Sequence, residues 1–407
     1  MSGSKINVAE LKGAIVRQIE RRKAEYIKVS HDIHDRPETG NQEFYAASRL
    51  GALLKAEGFA VETGIAGHPT GFIARRDSKP GPGPAIGFLA EYDALPEIGH
   101  GCGHNIIGAA SAAAAIALAA VSDATGGRVV VFGSPAEEGG ANGSAKASYV
   151  KAGLFKDIDA CLMIHPANEA VVAQISLALD PLDFEFHGKA AHAAAAPEYG
   201  LNALDGVIQL FNGINALRQQ LPADVRIHGI ITHGGAAPNI IPEYAKARFF
   251  VRAATRSRCD AVTEKVKAIA RGAALASGTR VDITYFQNQV DDFVTNGQFN
   301  ALFKEVLAEL GEEIPVQSDR GLGSTDAGNV SHVVPTIHPS LRIGPKELVA
   351  HSAEFRDAAK SPEGDEALLL GAKALAISGL ILLTDHEKLQ EIKDEFSQNK
   401  KSRGYTG

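Results

Sequence analysis

The chain carries only three cysteines, Cys102, Cys161 and Cys259, in 407 residues. An odd, sparse set of thiols does not make a disulfide framework, so the sequence reads as a protein of a reducing, cytoplasmic compartment. Blocks of positive charge are missing too. The net charge is −7 and no Lys/Arg stripe interrupts it, which argues against a nucleic-acid partner and against an anionic membrane. Residues 1–15 have no apolar core followed by a small-residue cleavage site, so no secretory leader is expected there. Long hydrophobic runs are scarce. The longest, 106–121, is mostly alanine with Gly108 and Ser111 inside it. It is too short and too weakly hydrophobic to span a bilayer and reads as a buried, closely packed helix. No repeat or low-complexity segment is present beyond the alanine runs.

What is present is apolar content: 45% of the residues are hydrophobic, enough for a large core, and the length suits two or three domains. Helical periodicity covers 8–35, ended by Pro37, and 43–57, ended by Gly58. Buried strand patterns at 85–89, 128–132 and 161–164 then alternate with helices. This order predicts an α/β fold with a mostly parallel sheet covered on both faces. The pattern changes near Asp180. Residues 182–186 alternate with period two, as a half-exposed strand does. A helix over 202–220, strands over 225–232 and 244–253, a helix over 260–276 and a strand over 281–286 complete a β-α-β-β-α-β series, the ferredoxin-like order. The expected organisation is a catalytic domain in two parts, 1–180 and 291–407, around an inserted α+β domain at 181–290. The last part holds a helix over 298–310, a strand over 335–343 and an apolar helix over 366–383. Residues 388–407 are charged and are expected to fray.

Six stretches carry side chains that bind zinc-like or manganese-like ions or sit in glycine-rich turns: Cys102-Gly103-His104, Glu137-Glu138, His165, His192, Asn239 and His351. Each lies where a buried strand pattern ends or a turn begins, which is where α/β proteins place chemistry. Two neighbouring carboxylates allow one to ligate a metal while the other handles a proton, and on an extended strand end their side chains point apart. The residues read together as a dinuclear metal site of a hydrolase.

Longer segments surround these residues. They include His34-Asp35-Arg36-Pro37-Glu38, Glu91-Tyr92-Asp93-Ala94-Leu95-Pro96, Gly101-Cys102-Gly103-His104-Asn105, Pro135-Ala136-Glu137-Glu138-Gly139-Gly140 and Ile164-His165-Pro166. Gly188-Lys189-Ala190-Ala191-His192-Ala193, Gly234-Gly235-Ala236-Ala237-Pro238-Asn239-Ile240-Ile241-Pro242, Gly323-Ser324-Thr325-Asp326 and Ala350-His351-Ser352 follow. Over almost its whole length, and in the same order, the chain resembles the peptidase M20 family, subfamily D, nearest its aminobenzoyl-glutamate hydrolase and dipeptidase-like branches.

The resemblance implies a catalytic domain of metallo-aminopeptidase type with an inserted ferredoxin-like lid and dimerisation domain. It implies two divalent ions per subunit (Mn or Zn, with Co also suitable) held by Cys102, His104, Glu138, His165 and His351. Cys102 would bridge them as a thiolate, which commits its lone pairs and argues against a nucleophilic role. Glu137 would be the general base and Asp93 a carboxylate that orients a ligand imidazole. His192 would stabilise the developing oxyanion, acting on a partner subunit's site in a homodimer. Asn239, Arg252, Ser324 and Thr325 would bind the substrate, with the Arg252 guanidinium on its carboxylate. Other branches carry a metal-binding histidine where this chain has Glu91, so Glu91 is left out of the ligand set. The expected reaction is hydrolysis of an amide bond in a small N-acyl or N-aroyl amino acid, an aminobenzoyl-glutamate-like conjugate or a dipeptide. Two other readings stay open: hydrolytic deamination of an aromatic amine or amidine, and an inactive binding protein on the same fold.

Overall fold

In the computed structural model, residues 7–79, 81, 83–173, 175–315 and 323–402 are described. The chain divides into two compact units. One comprises Met1–Ile175, Phe293–Leu322 and Asp326–Gly407, the other Ser176–Asp292 with Gly323–Thr325.

The first unit is built on a six-stranded sheet in the order Ala60–Thr63, Phe72–Asp77, Arg128–Ser134, Ala85–Glu91, Ala160–Leu162, Thr336–Ile337. The last four strands run parallel to one another, and the first two are joined on by antiparallel pairing. Ala85–Glu91 is buried along its whole length, as a central parallel strand flanked by helices must be. Its main cover is the alanine-rich helix His104–Ser122, packed against Pro362–Thr384. By length and composition alone both helices could cross a membrane, the first because His104–Ser122 extends beyond the 106–121 stretch, which is too short by itself. Here they form the core, with 94% and 72% of their most apolar stretches buried. Small residues permit this closeness. A Cβ on Gly108 would lie 2.8 Å from the Glu91 carbonyl oxygen and 3.0 Å from Leu50 Cδ1.

Four expectations change in detail. The helix expected over 8–35 is two helices, Val8–Arg21 and Lys23–His34, broken at Arg22. The periodicity runs through the break because Ile15 and Ile19 of the first and Tyr26, Val29 and Ile33 of the second all enter one core. The strand expected over 335–343 is two short strands divided by His338-Pro339. Thr336–Ile337 pairs with Ala160–Leu162 and Ser340–Arg342 with His165–Ala167, both in parallel. Proline has no amide hydrogen to continue a ladder. The charged tail at 388–402 does not fray but forms most of the helix His386–Ser402. It buries Leu389 and Ile392, and its Glu395 carboxylate accepts the amide hydrogens of Gly297 (2.8 Å) and Gln298 (2.7 Å). That acceptor satisfies donors that open the helix Gly297–Glu309. Residues 403–407 lie outside the described residues.

The second unit has an antiparallel sheet in the order Arg280–Tyr285, Ala178–His187, Tyr244–Ala253, Arg226–His233, with helices Ala203–Arg218 and Arg256–Ser277 packed against it. The fourth change lies here. The strand containing 182–186 is an interior strand and mostly buried, not half-exposed. Its polar positions alternate as the sequence indicates, but cations on the neighbouring strand cover them. Lys246 Nζ lies 2.7 Å from both Asp183 and Glu185, and Arg248 Nε 2.7 Å from Asp183.

Two glycines test this packing. Gly108→Val should destabilise the first unit by about 1–3 kcal/mol, because no void receives the added carbons. Gly272 has nothing within 4 Å of a built Cβ and lies in the helix Arg256–Ser277, so Gly272→Ala should stabilise by up to ~1 kcal/mol. Urea unfolding followed by circular dichroism reads both, and a neutral Gly108→Val would contradict the tight contact.

Candidate metal centre

Three adjacent parallel strands deliver the site at their C-terminal ends. Ala85–Glu91 ends on Glu91, and Asp93 follows two residues on. Arg128–Ser134, in register with it (Glu91 beside Ser134), runs into Glu137-Glu138. Ala160–Leu162, on the other side, leads to His165. Gly103, at φ 74°, opens the alanine-rich helix, and a Cβ there would lie 2.5 Å from Pro166 Cγ. Only glycine allows both the left-handed turn and this approach, which brings Cys102 and His104 against His165. Glu137 and Glu138 lie past the strand end rather than on it. Ala136 before them is left-handed (φ 55°), so they leave a bend, not the extended segment the sequence indicated.

The structure gathers Cys102, His104, Glu138, His165 and His351, with Glu137 among them. Ligand atoms of Cys102, His104 and His165 lie within 4.8 Å of one another, as do those of Cys102, Glu138 and His351, and those of His104, Glu137 and Glu138. Cys102 belongs to the first two groups, so one thiolate can serve two cation positions. Cys102 Sγ is 3.6 Å from His165 Nε2, and His351 Nε2 is 3.3 Å from Glu138 Oε1.

Hydrogen bonds fix which ring nitrogen is available. Asp93 Oδ1 accepts from His104 Nδ1 at 2.9 Å and the Pro166 carbonyl from His165 Nδ1 at 2.7 Å. With Nδ1 the donor in each case, Nε2 is the nitrogen that faces the site and would ligate a metal once free of a proton. His104 Nε2 is buried with no hydrogen bond among the described residues, 3.5 Å from Glu91 Oε2 and 3.9 Å from Glu138 Oε1. Asp93 also accepts the Glu138 amide hydrogen through Oδ2 at 3.0 Å, so one carboxylate sets a ring and the backbone opposite it.

The electrostatics call for cations. Burial raises the Glu137 carboxyl well above the usual range, and neighbouring Glu91 and Glu138 add to this. Burial also raises Glu138, but the His351 hydrogen bond and nearby His104 outweigh it and bring it down to about 2. Burial and Glu138 push the Cys102 thiol well up, and only a bound cation would hold it as thiolate. Burial disfavours charge on His104, yet the Asp93 carboxylate outweighs it and raises the ring well above the usual histidine range. A proton there occupies a place that a divalent ion would take. Thiolate, imidazole and carboxylate donors around these positions fit divalent metal ions.

Three participants were not singled out in the sequence. Lys146, fully buried in the short helix Ala145–Lys151, places Nζ 2.7 Å from Glu91 Oε1 and 2.5 Å from Asp326 Oδ1. Glu91 is therefore held by an ammonium, and Glu91, Glu137 and Asp326 form a further carboxylate group beside the centre. His338 stacks on His165 (centroids 5.4 Å apart), with neither ring nitrogen hydrogen-bonded among the described residues. Asp326 closes the Gly323-Ser324-Thr325-Asp326 segment, and nothing in its spacing marks it out. A lone lysine among alanines gives no periodic signal, and only the strand pairing brings His338 to the site.

The remaining candidate residues belong to the second unit. His192 and Asn239 are exposed and lie on neighbouring segments, since Ala193 donates to the Asn239 carbonyl at 3.0 Å and His192 bridges Ile240. Arg252, on the strand Tyr244–Ala253, donates from Nη1 to Ser324 Oγ at 3.0 Å, and Thr325 follows.

A family model described as Peptidase family M20/M25/M40 matches residues 87–376. The chain is 35% identical over 387 residues to the Xaa-Arg dipeptidase of Homo sapiens, covering 90% of this chain and 88% of that protein. It is 29% identical to one of the p-aminobenzoyl-glutamate hydrolase subunits of Escherichia coli (strain K12), covering 93% of each. A crystal structure of a dinuclear metal-binding peptidase of the M20 family from Bacillus subtilis superposes with a TM-score of 0.64 at 21% identity, covering 89% of this chain and 99% of that one.

Removing Lys146 should be costly, because its carboxylates would then stay buried without their counter-ion. Lys146→Met should destabilise the protein by about 3–5 kcal/mol. Thermal unfolding checks this, and a melting temperature equal to that of the unaltered protein would show the ammonium to be dispensable.

Proposed function

The chain belongs to peptidase family M20/M25/M40 and is a hydrolase; from that premise we propose that it cleaves the amide bond of a small substrate bearing a carboxylate. The class comprises N-acyl or N-aroyl amino acids, aminobenzoyl-glutamate-like conjugates and dipeptides. One observation carries the reading: Cys102 is common to two three-residue ligand groups, and Glu137 stands beside them next to Glu138. Cys102, His104, Glu138, His165 and His351 would hold two divalent ions, of manganese, zinc or cobalt. Such a pair would polarise the scissile carbonyl and acidify water.

The chain's own groups do the rest. Glu137, whose burial already favours the protonated state, takes a proton from the attacking water at its carboxylate and returns it to the departing nitrogen. Asp93 keeps His104 in the tautomer that offers Nε2. Arg252, steadied by Ser324 with Thr325 beside it, receives the substrate carboxylate, and Asn239 binds its polar backbone. His192 donates to the oxyanion. Three unpaired cysteines suit a cytoplasmic setting.

The second unit serves as lid and dimerisation domain. Its strand Arg226–His233 lies at a sheet edge and exposes Ile230 and Ile231, which supports pairing with a second copy. His192 then acts on the partner subunit's centre.

Two experiments test this. Chelator should abolish turnover, and Mn²⁺, Zn²⁺ or Co²⁺ should restore it. Glu137→Gln should retain metal yet lose on the order of 10²-fold or more in kcat, whereas Glu138→Gln should lose metal itself. Wild-type turnover in Glu137→Gln would remove it as the base.

For the dimer, His192→Ala and Glu137→Gln chains, each inactive alone, should regain partial activity when mixed and exchanged. One site of the heterodimer would join an intact Glu137 to the partner's intact histidine. Differently tagged chains that demonstrably co-purify yet stay inactive would rule out action in trans.

A further inference from the structure

Glu43 is a buried carboxylate that the reaction does not use. It precedes the helix Phe44–Ala56 and is fully shielded from solvent. Its carboxylate meets donors. Oε1 accepts the amide hydrogens of Asn41 (2.9 Å) and Ala136 (3.0 Å), and Oε2 accepts the Thr70 hydroxyl (2.6 Å). The Ala136 contact crosses 93 residues of sequence and ends one residue before Glu137.

That contact falls at a strained point. Ala136 is left-handed at φ 55°, a conformation an alanine keeps only where its surroundings hold it. Ser144 N–H binds the Ala136 carbonyl at 2.6 Å, so both sides of the residue are pinned. On the far side of Glu137, the Glu138 amide is held by Asp93. The segment around Glu43 presses on the same turn. A Cβ on Gly40 would lie 2.3 Å from the Gly139 oxygen, and Asn41 Nδ2 donates to the Ala141 carbonyl at 2.8 Å. Asn41 is in turn held by His68 Nδ1 at 2.8 Å.

We propose that Glu43 is a positioning residue for Glu137: its carboxylate locks the left-handed turn at Ala136, so that the amides before and after the base are each fixed by a buried carboxylate. This rests on the reading of Glu137 as base. Loss of the Glu43 oxygens leaves the Ala136 amide unsatisfied and lets the turn relax, which moves the Glu137 side chain without removing a metal ligand.

The test combines exchange and kinetics. In metal-free protein, hydrogen exchange of the peptide spanning 134–144 should quicken roughly tenfold or more in Glu43→Ala and stay unchanged in Glu43→Gln, whose Oε1 still accepts both amides. In metal-loaded protein, Glu43→Ala should lower kcat about 10- to 100-fold, with KM and metal content close to those of the unaltered enzyme. In the Glu137→Gln background the same substitution should cost less than about twofold, because the group it positions is already gone. If Glu43→Ala fails to fold, Glu43→Asp makes the test, since the shorter side chain keeps its charge but withdraws from Ala136. An equal loss in both backgrounds, a loss of metal, or unchanged exchange would overturn the inference. Failure of the base assignment looks different: Glu137→Gln alone then keeps full turnover, and a Glu43→Ala loss that persists in that background overturns this inference as well.

Discussion

Among the described residues, the first unit gathers five carboxylates around one buried ammonium. Glu91, Asp93, Glu137, Glu138 and Asp326 converge there with the Cys102 thiol, and Lys146 is the buried ammonium that meets them. Isolated carboxylates are too costly to desolvate, so such a cluster must bind cations or hold protons. The need shows in the direction of the shifts: Glu137 is pushed up by burial with Glu91 and Glu138 beside it, and His104 is raised against its burial by Asp93. Divalent ions held there would relieve both conditions together, taking the place of the imidazole proton and stabilising the thiolate. The surroundings separate the carboxylates: Asp93, Glu91 and Asp326 each meet a donor or an ammonium, and the raised affinity of Glu137 for a proton suits the base role proposed for it.

Holding that arrangement requires backbone as well as charge. Ala136 and His351 are both left-handed, at φ 55° and 64°, and such residues cost on the order of 1–3 kcal/mol each. The His351 amide binds the Gly101 carbonyl at 2.9 Å, which ties this distant loop to the turn carrying Cys102. The Ala136 amide is tied to Glu43. Strain at these two points is sustained by contacts from segments far away in sequence, so the centre depends on the whole unit being folded.

This also marks what the sequence could convey. Strand ends and glycine turns pointed to Cys102, His104, Glu137, Glu138, His165 and His351, because parallel strands expose chemistry at their C-terminal ends and the motifs lie there. The β-α-β-β-α-β order was legible from alternation and helical period alone. Lys146 and His338 were not, because their importance arises from neighbours that pairing supplies: Lys146 is defined by Asp326, and His338 by the register of Ser340 on His165. The tail at 388–402 misled for a related reason. Its charges look solvated until Glu395 is seen to serve the amides of another helix. Local composition reports exposure correctly only when no distant donor claims the side chain.

A metal centre of this kind does not choose its substrate. Any C–N bond whose carbon can accept water would be polarised alike, which is why amide hydrolysis and deamination could not be separated from the ligands. The choice falls to groups that recognise the rest of the molecule. Under the proposed function one such group is Arg252, whose Nη1 donates to the Ser324 hydroxyl. A guanidinium stays charged and carries five N–H donors in a planar fork, one of which goes to that hydroxyl. Such a fork matches the two oxygens of a carboxylate. Under the proposed function an amino-acid amide or a dipeptide would bring a carboxylate to that fork, whereas an amine or amidine without a carboxylate would not. The proposed preference therefore comes from recognition rather than from the reacting atoms.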